Sequence, residues 1–279
     1  MTILVAGADG MLGRAWMALL EERGIEARGL LWPALDLTDA ASIEREVSGD
    51  VRAVIDCAAY TDVDAAETNE ALATAINGAG VAALVARCDA LSVPLVHYST
   101  DYVFDGRGTR PYPVDHPTAP LNAYGRSKLA GEQHVTRSPG RHLLIRTSWL
   151  YAPWGKNFVL TIARLAKEKS ELRVVHDQRG RPTSAEHLAR CSLALLEGEA
   201  RGTFHVTDGG ECTWFELAHA IAQTVAPACS VLPCTSAEFP RPAQRPAYSV
   251  LDLSETEARL GPMPDWRANL AAVLTRSPL

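Results

Sequence analysis

Residues 2–13, TILVAGADGMLG, decide how this chain is interpreted. The apolar run TILVA is typical of a buried β-strand, and Gly7, Gly10 and Gly13 follow it in the pattern GxxGxxG. In such a turn the first glycine permits a tight bend, the second lets the backbone approach a pyrophosphate, and the third lets a helix pack on the strand. The helix N-terminus adds N–H groups and the positive end of its dipole. Because the turn joins a first strand to a first helix, it predicts a dinucleotide-binding unit.

The chain continues as an alternation of apolar strands and helical patterns. We predict strands near residues 2–7, 26–31, 52–58, 93–99 and 142–148, and helices near 11–23, 40–47, 69–91 and 122–136. Continuously apolar strands separated by helices indicate a parallel sheet covered on both faces. We therefore expect an α/β fold: a Rossmann-type doubly wound parallel sheet in residues 1–148, with a smaller C-terminal α/β substrate domain in residues 149–279. Some later segments, such as a strand-like run at 202–207, are expected to return to the first domain.

The C-terminal part carries three helix-start signals. Thr183 and Glu186, Thr213 and Glu216, and Ser254 and Glu257 each have the spacing of a capping box. Trp214 follows the second of these signals, and we interpret it as a core residue.

Composition narrows the class of protein. Of 279 residues, 47% are hydrophobic and 22% are charged, and the net charge of −6 offers no basic surface for nucleic acid. Uninterrupted apolar runs stay below the roughly 18 residues of a membrane span. The six cysteines show no CxxC pair and the eight histidines no HExxH pattern, so we expect buried thiols and no metal centre. These features favour a cytoplasmic protein without a membrane or nucleic-acid partner.

Tyr124 and Lys128, in the stretch NAYGRSK, stand four residues apart. Asn122 suits the cap of a helix, and on a helix both side chains would share one face. A phenol is a poor acid at pH 7, but a nearby ammonium and an oxidised nicotinamide would lower its pKa. Tyr124 is therefore a candidate proton donor to a carbonyl that receives hydride.

Polar residues end the strand at 93–99, in the stretch YSTDYVFDG at residues 98–106. Ligands of open α/β folds bind at the carboxyl edge of the sheet, so Ser99, Thr100 and Asp101 would face a ligand there. Thr100 could orient a substrate carbonyl beside Tyr124. We thus predict Thr100, Tyr124 and Lys128 as the catalytic residues.

These motifs together resemble the extended short-chain dehydrogenase/reductase superfamily and, within it, the dTDP-4-dehydrorhamnose reductase family. The resemblance covers nearly the whole chain and is carried by GADGMLG, AAYTDVDAAE, YSTDYVFDG, NAYGRSKLAGE, RTSWLYAPWGKNF, DQRGRPT and RPAYSVLDLS, in the family's order. It implies transfer of hydride from NAD(P)H to the C4 keto group of a dTDP-4-dehydro-6-deoxy sugar, which forms dTDP-L-rhamnose.

The resemblance also implies roles for particular residues. The cofactor would be bound by the glycine turn, by the adenine-side residues, by the segment after the third strand and by the catalytic helix: Gly7, Gly10, Met11, Leu12, Gly13, Asp36, Leu37, Ala58, Ala59, Thr61, Tyr124 and Lys128. The nucleotide sugar would contact Thr100, Asp101, Trp149, Lys156, Asn157 and Arg245.

Three departures from the family pattern bear on cofactor and assembly. Leu31 stands where the family has an acid at the end of the second strand, which leaves NADPH or NADH open, with NADPH favoured. Met11 stands where the family has glutamine. Some members form a homodimer through a divalent metal such as magnesium, but Ala15 occupies a position where an acid would be needed, which argues against that metal.

Two other functions stay open. A nucleotide-sugar epimerase or dehydratase of the same superfamily would retain its cofactor, but a dehydratase needs a paired acid after the threonine, and Tyr102 follows Asp101 here. A non-catalytic, dinucleotide-binding regulatory subunit, as exists for methionine adenosyltransferase, would tolerate loss of Tyr124 and Lys128, yet both are present.

Overall fold

The computed structural model describes residues 2–277, so the outermost residues of the two predicted domains, 1, 278 and 279, lie outside it. The first half of the chain runs β1 (Thr2–Ala6), α1 (Met11–Glu22), β2 (Ala27–Leu30), α2 (Ala40–Glu46), β3 (Val51–Asp56), α3 (Glu70–Thr74), α4 (Val81–Leu91), β4 (Leu95–Thr100), α5 (Ala123–Arg137) and β5 (His142–Thr147). The second half runs β6 (Leu150–Tyr151), α6 (Phe158–Glu168), β7 (Glu171–Val175), β8 (Arg179–Gly180), β9 (Thr183–Ser184), α7 (Ala185–Glu197), β10 (Gly202–His205), β11 (Cys212–Thr213), α8 (Trp214–Val225), β12 (Ser230–Cys234), α9 (Ser254–Leu260) and α10 (Trp266–Arg276).

The main sheet has six parallel strands in the order β10-β5-β4-β3-β1-β2. From β1 the chain first builds β2 on one side and then adds β3, β4 and β5 on the other side. The strand order therefore reverses beside β1, and a crevice opens there at the carboxyl ends of the strands.

Both faces of this sheet are covered by helices. Successive side chains of a strand point to opposite faces: Ile3 and Val5 pack with α1 and α7, whereas Leu4 packs with α2, α4 and α5. This arrangement confirms the predicted doubly wound sheet.

A second group of buried apolar side chains lies in the C-terminal part. It joins α6, β7, α8, β12 and α10 around the fully buried Trp266. β7 and β12 form a separate parallel pair. In contrast, α7 and β10 pack with the first sheet although they follow residue 149. The chain therefore crosses between the two groups of buried side chains more than once.

The helix starts agree only in part with the sequence signals. The Asn122 side chain accepts a hydrogen bond from Gly125 N at 2.8 Å, and Thr213 with Glu216 forms a capping box. The other two predicted boxes are wrong. Thr183 is taken up by β9, and Ser254 is already the first residue of α9 rather than its cap.

One helical stretch is long and apolar enough to cross a bilayer by length and composition alone. It comprises α3, a π-helical turn at Ala75–Gly80 and α4, and spans Glu70–Leu91 with a mean hydropathy of 1.5 over its most apolar window. Because 44% of that window is buried inside the fold, and core helices of soluble proteins satisfy the same criteria, this is weak evidence for a membrane span.

Candidate active site

A cleft of about 660 Å³ lies at the carboxyl ends of the parallel strands. We define the cleft by the residues that line it: Gly7, Asp9, Gly10, Met11, Leu12, Trp32, Leu35, Asp36, Leu37, Asp56, Cys57, Ala58, Ala59, Thr61, Val63, Ile76, Tyr98, Ser99, Thr100, Asp101, Tyr102, Tyr124, Lys128, Thr147, Ser148, Trp149, Leu150 and Trp214. Its volume is in the range of small-molecule and cofactor sites. Most of the residues predicted from the sequence to bind the cofactor are among these side chains.

The glycine turn forms one end of the cleft. Gly7 has a φ of 69°, and a Cβ there would lie 2.9 Å from Ala58 Cα, so the turn packs closely on the segment after β3. Gly13 does not line the cleft. A Cβ at Gly13 would lie 2.1 Å from Gly7 O, which shows that this glycine lets α1 pack against the turn. Gly10 precedes α1 and leaves its N-terminus without a side-chain cap. Such a helix end fits a phosphate group.

On the β2 side of the glycine turn, the cleft is lined by Asp36 and Leu37. The Asp36 carboxylate accepts hydrogen bonds from Thr38 N at 2.8 Å and Thr38 Oγ1 at 2.7 Å, and these bonds hold its pKa below the usual value. Leu31 and Trp32, just after β2, are exposed. Ala58, Ala59 and Thr61 follow β3 and line the cleft on the other side of the glycine turn.

Thr100, Tyr124 and Lys128 all line the cleft. Thr100 ends β4 and is buried, and its Oγ1 donates to Asp101 Oδ1 at 3.0 Å and accepts from Tyr102 N at 3.2 Å. Tyr124 lies in the first turn of α5, and Lys128 follows one turn later, only 3% exposed. The capped start of α5 thus brings the phenol to the end of β4, as the i, i+4 spacing predicted.

The protein alone keeps Tyr124 in its protonated form. Burial, followed by the charge of Asp101, raises the pKa of Tyr124 far above its usual value, and hydrogen bonding to Thr100 only partly opposes them. Burial lowers the pKa of Lys128, although Asp56 and Glu132 favour its charged form. The sequence predicts a lowered Tyr124 pKa in the presence of a nearby ammonium and an oxidised nicotinamide, whereas burial and Asp101 shift it in the opposite direction. A protonated phenol is nevertheless the form that a proton donor requires.

Several buried polar atoms at the floor of the cleft have no partner within residues 2–277. They include Asp101 Oδ2, Ser99 Oγ and Asp56 Oδ1. Burial raises the pKa of Asp101 to about 7, although the bond from the Thr100 hydroxyl to Asp101 Oδ1 opposes this shift. Unsatisfied buried polar atoms are rare in folded proteins. Their presence at this floor, together with the glycine turn, fits a cleft that takes a polar ligand and a dinucleotide.

An aromatic wall closes the cleft on the side of the C-terminal part. Trp149 has a φ of 47°, which is unusual for a bulky residue, and its ring stacks on Trp214 with centroids 3.6 Å apart. Gly180 leaves room for the ring, because a Cβ there would lie 2.6 Å from Trp149 Cε2. Trp214, interpreted from the sequence as a core residue, packs against the C-terminal core and also lines the cleft. Its position two residues before the glutamate of a capping box gave no sign of this contact.

Three residues predicted to contact the nucleotide sugar lie outside the cleft. Asn157 caps α6 by accepting from Leu160 N at 3.0 Å, and its amide also donates to Ala152 O at 3.0 Å. The exposed Lys156 lies beside it at a second hollow of about 420 Å³ along α6. Arg245 approaches the cleft from a C-terminal segment and contacts Asp64 and the ring of Tyr102. Their roles in binding remain predictions.

Metal-ligating side chains are not gathered into a site in the described part of the chain. No group of three or more His, Cys, Asp or Glu residues within residues 2–277 could hold a metal ion.

Comparison with known proteins agrees with this architecture. The family described as RmlD substrate binding domain matches residues 1–278. A dTDP-4-dehydrorhamnose reductase of Streptomyces griseus is 44% identical over 276 residues, which cover 96% of this chain and 91% of that protein. A solved dTDP-4-dehydrorhamnose reductase of Clostridium acetobutylicum superposes with a TM-score of 0.95 at 38% identity, over 99% of both chains. Another, from Bacillus anthracis and solved in complex with NADP, gives a TM-score of 0.94 at 35% identity, also over 99% of both chains.

The fold and the cleft define a nucleotide-binding α/β protein of the Rossmann type. The chain belongs to the RmlD substrate binding domain family, and the relatives and structures just described are dTDP-4-dehydrorhamnose reductases. The resemblance inferred from the seven sequence motifs is thereby confirmed.

Proposed function

We propose that the protein is an NAD(P)H-dependent reductase of a dTDP-4-dehydro-6-deoxy sugar, with dTDP-L-rhamnose as its product. The observation that carries this proposal is the convergence of Thr100, Tyr124 and Lys128 on one cleft that begins at the glycine turn, in a chain of this family. The residues fit the cofactor, because Gly7 and Gly13 leave no room for side chains at the turn and α1 presents an uncapped N-terminus there. A bound nicotinamide would supply the hydride.

The chain's own residues would supply orientation and a proton. The Thr100 hydroxyl, which donates to Asp101 Oδ1 in this structure, would turn to donate to the C4 carbonyl oxygen and hold it beside Tyr124. The Tyr124 phenol would donate its proton to that oxygen as the negative charge develops. The resulting phenolate would be stabilised by the Lys128 ammonium one helical turn away. Buried surroundings strengthen these interactions, because water does not screen them.

The other assignments complete this proposal. Residues 1–148, with α7 and β10 added, would bind the dinucleotide, and most of residues 149–279 would bind the nucleotide sugar, with Trp149 forming the wall of its site. Asp36 and Leu37 would contact the adenine end, and Ala58, Ala59 and Thr61 would line the path of the cofactor. NADPH is the favoured cofactor. A cytoplasmic location, without nucleic-acid or membrane partners, and a homodimer that does not require magnesium belong to the same proposal.

A coupled assay tests the reaction. Purified protein is incubated with stoichiometric NADPH and dTDP-4-dehydro-6-deoxyglucose, with and without the 3,5-epimerase that converts this sugar to the dehydrorhamnose form. One NADPH oxidised for each sugar reduced, only when the epimerase is present, is the expected result. Turnover without net oxidation would instead indicate an epimerase or dehydratase. The absence of any turnover, with a stoichiometric protein partner recovered by pull-down, would indicate the regulatory subunit.

A further inference from the structure

The Asp64 carboxylate anchors a distant C-terminal segment, residues 240–246, which we call the arginine segment. Asp64 Oδ2 accepts hydrogen bonds from Arg241 Nε at 2.9 Å and also from Arg241 Nη2. Asp64 Oδ1 accepts from Ala243 N at 3.2 Å and lies 3.1 Å from Arg245 Nη2. One carboxylate therefore contacts three residues of this segment, and the first of them, Arg241, follows Asp64 by 177 positions.

The same segment is tied to the start of the catalytic helix. Asn122 Nδ2 donates to Gln244 O at 2.9 Å, while Asn122 Oδ1 caps α5 at Gly125 N. Gly106 gives the segment room, because a Cβ there would lie 2.6 Å from Pro246 Cβ. The segment is thus fixed relative to α5 at several points.

Arg245 is held at the edge of the cleft. Its guanidinium lies 6.0 Å from the centroid of the Tyr102 ring, and that ring meets Tyr124 edge-on with centroids 6.0 Å apart. The side chains of Arg245 and Asp64 are each only 17% exposed, so their contact is largely shielded from water. The guanidinium is therefore placed one ring away from the residue proposed to donate the proton.

Charge at this position is positive. Two guanidinium groups face one carboxylate. Burial opposes the ionisation of Asp64, but the bonds from Ala243 and Arg241 and the charges of both arginines hold its pKa below the usual value. Asp64 is therefore ionised. A planar guanidinium suits paired hydrogen bonds to phosphate oxygens. If the arginine side chains already have their bound geometry before the ligand arrives, binding avoids the free-energy cost of ordering them.

We propose that Asp64 is a positioning residue that fixes Arg241 and Arg245 as a preformed site for the diphosphate of the nucleotide sugar. This inference rests on the proposed function, since a nucleoside diphosphate is the group that the reductase must hold. It also adds Arg241, to which the sequence motifs assign no role, to the residues that would bind that group.

Removal of the Asp64 charge separates two effects of opposite sign. If Asp64 only cancels positive charge, Asp64→Asn makes the site more positive and tightens the binding of an anion. If Asp64 positions the arginines, the same change releases them and weakens binding. Asp64→Glu keeps the charge and the fold but moves the carboxylate by one methylene, so it weakens binding only in the positioning case.

The experiment measures binding of dTDP and of dTMP to the full-length chain by calorimetry, in the presence of saturating NADPH. We expect Asp64→Asn and Asp64→Glu each to weaken dTDP binding about tenfold, the factor expected for the loss of one charge-assisted contact. Binding of dTMP, which lacks the second phosphate, should change less. In turnover, KM for the keto sugar should rise while kcat and the affinity for NADPH stay nearly unchanged, which a general loss of structure would not produce.

Asp62→Asn is the matched control, because Asp62 lies in the same loop and its carboxylate accepts a bond from Ala65 N, within that loop, at 3.0 Å. It should leave dTDP binding and KM unchanged. Unchanged or tighter dTDP binding in Asp64→Glu, or in a folded Asp64→Asn, overturns the role of Asp64 while leaving a working reductase. A wild-type protein that binds no dTDP and reduces no keto sugar overturns the proposed function, and the role of Asp64 with it.

Discussion

The rings of Trp149 and Trp214 stack with their centroids 3.6 Å apart and their planes within 11° of each other. Trp149 follows β5 and Trp214 begins α8, so the stack joins the end of the main sheet to the C-terminal part. The left-handed backbone conformation of Trp149 is costly. The contacts of its ring, which stacks on Trp214 and fits the space above Gly180, stabilise the residue in that conformation. Both rings line the cleft, so the shape of this wall depends on Trp214 as well as on Trp149.

Replacement of Trp214 by leucine should loosen this wall. Aromatic pairs are worth about 0.5–1.5 kcal/mol beyond their buried area, so we expect KM for the keto sugar to rise by up to about tenfold. NADPH affinity should stay close to that of the wild type, because the glycine turn is untouched. Steady-state kinetics of both substrates measure these effects. Trp214→Phe keeps a stacking ring and should show a smaller rise, and an unchanged KM in Trp214→Leu would contradict the proposed support.

Replacement of Tyr124 by phenylalanine should abolish most turnover while the cofactor still binds. Positioned general acids contribute about 10²- to 10⁴-fold to rate, so kcat should fall within that range. Tyr112→Phe is the control, because it removes another buried hydroxyl that is bonded to Asp105 outside the cleft. NADPH fluorescence titration should give an affinity within a few-fold of the wild type. Retained turnover in Tyr124→Phe would remove the phenol from the mechanism.

Asp101 should make the stability of the ligand-free protein depend on pH. Burial raises its pKa to about 7 in the folded chain, compared with about 3.9 in an unfolded one. Between these values the folded state keeps a proton that the unfolded state has released, so stability from this group is present below pH 4 and is lost as the pH rises through 7. Asp101→Asn, which is always neutral, should not show this loss.

The measurement compares the free energies of unfolding of the wild type and Asp101→Asn by urea denaturation at pH 4.5 and pH 8. The variant should gain relative to the wild type by about 3 kcal/mol between these conditions. Other titrating groups, including the buried Asp208, are common to both proteins and cancel in the difference. A difference that does not change with pH would show that Asp101 ionises normally.

The ion pair between Glu132 and Arg146 should be essential for stability. The two side chains are buried and form paired bonds, with Arg146 Nε to Glu132 Oε1 at 2.9 Å and Arg146 Nη2 to Glu132 Oε2 at 2.8 Å. Glu132→Ala leaves a buried guanidinium without its partner, which should cost about 3–5 kcal/mol. Denaturant titration of the purified variant gives this value.

A second ion pair, which also has one partner on α5, provides the control. Arg126 and Glu70 have the same paired geometry, at 2.7 and 2.9 Å, but their side chains are 45% and 43% exposed. Glu70→Ala should therefore cost less than about 1 kcal/mol. Similar losses for the two alanine variants would mean that burial does not decide the strength of these pairs.

Local features of the fold could be predicted from the sequence where neighbouring residues determine them. The glycine turn, the cap at Asn122 and the shared helical face of Tyr124 and Lys128 each depend on residues within a few positions, and the structure contains all three. The capping-box spacing was less reliable. It failed at Thr183 because pairing of β9 with β6 determines the backbone there, a contact that the local pattern does not contain.

Contacts between distant segments could not be predicted from the same patterns. Trp214 gives the local signal of an apolar residue at the start of an amphipathic helix, and only its stacking on Trp149 brings it to the cleft. The acids of the motif AAYTDVDAAE gave no indication of their partners. Asp64 contacts Arg241 and Glu67 accepts from Ala123 N at 2.8 Å, so this motif links the start of α5 to a segment near the other end of the chain.

The order of the strands has a consequence for synthesis on the ribosome. β10, the outermost strand beside β5, is made only after α6, β7 and α7 have emerged. Until Gly202–His205 arrives, the edge of β5 presents unpaired N–H and C=O groups that can pair with any extended chain nearby. Translation that stops before this strand therefore yields an aggregation-prone fragment instead of an independent nucleotide-binding half.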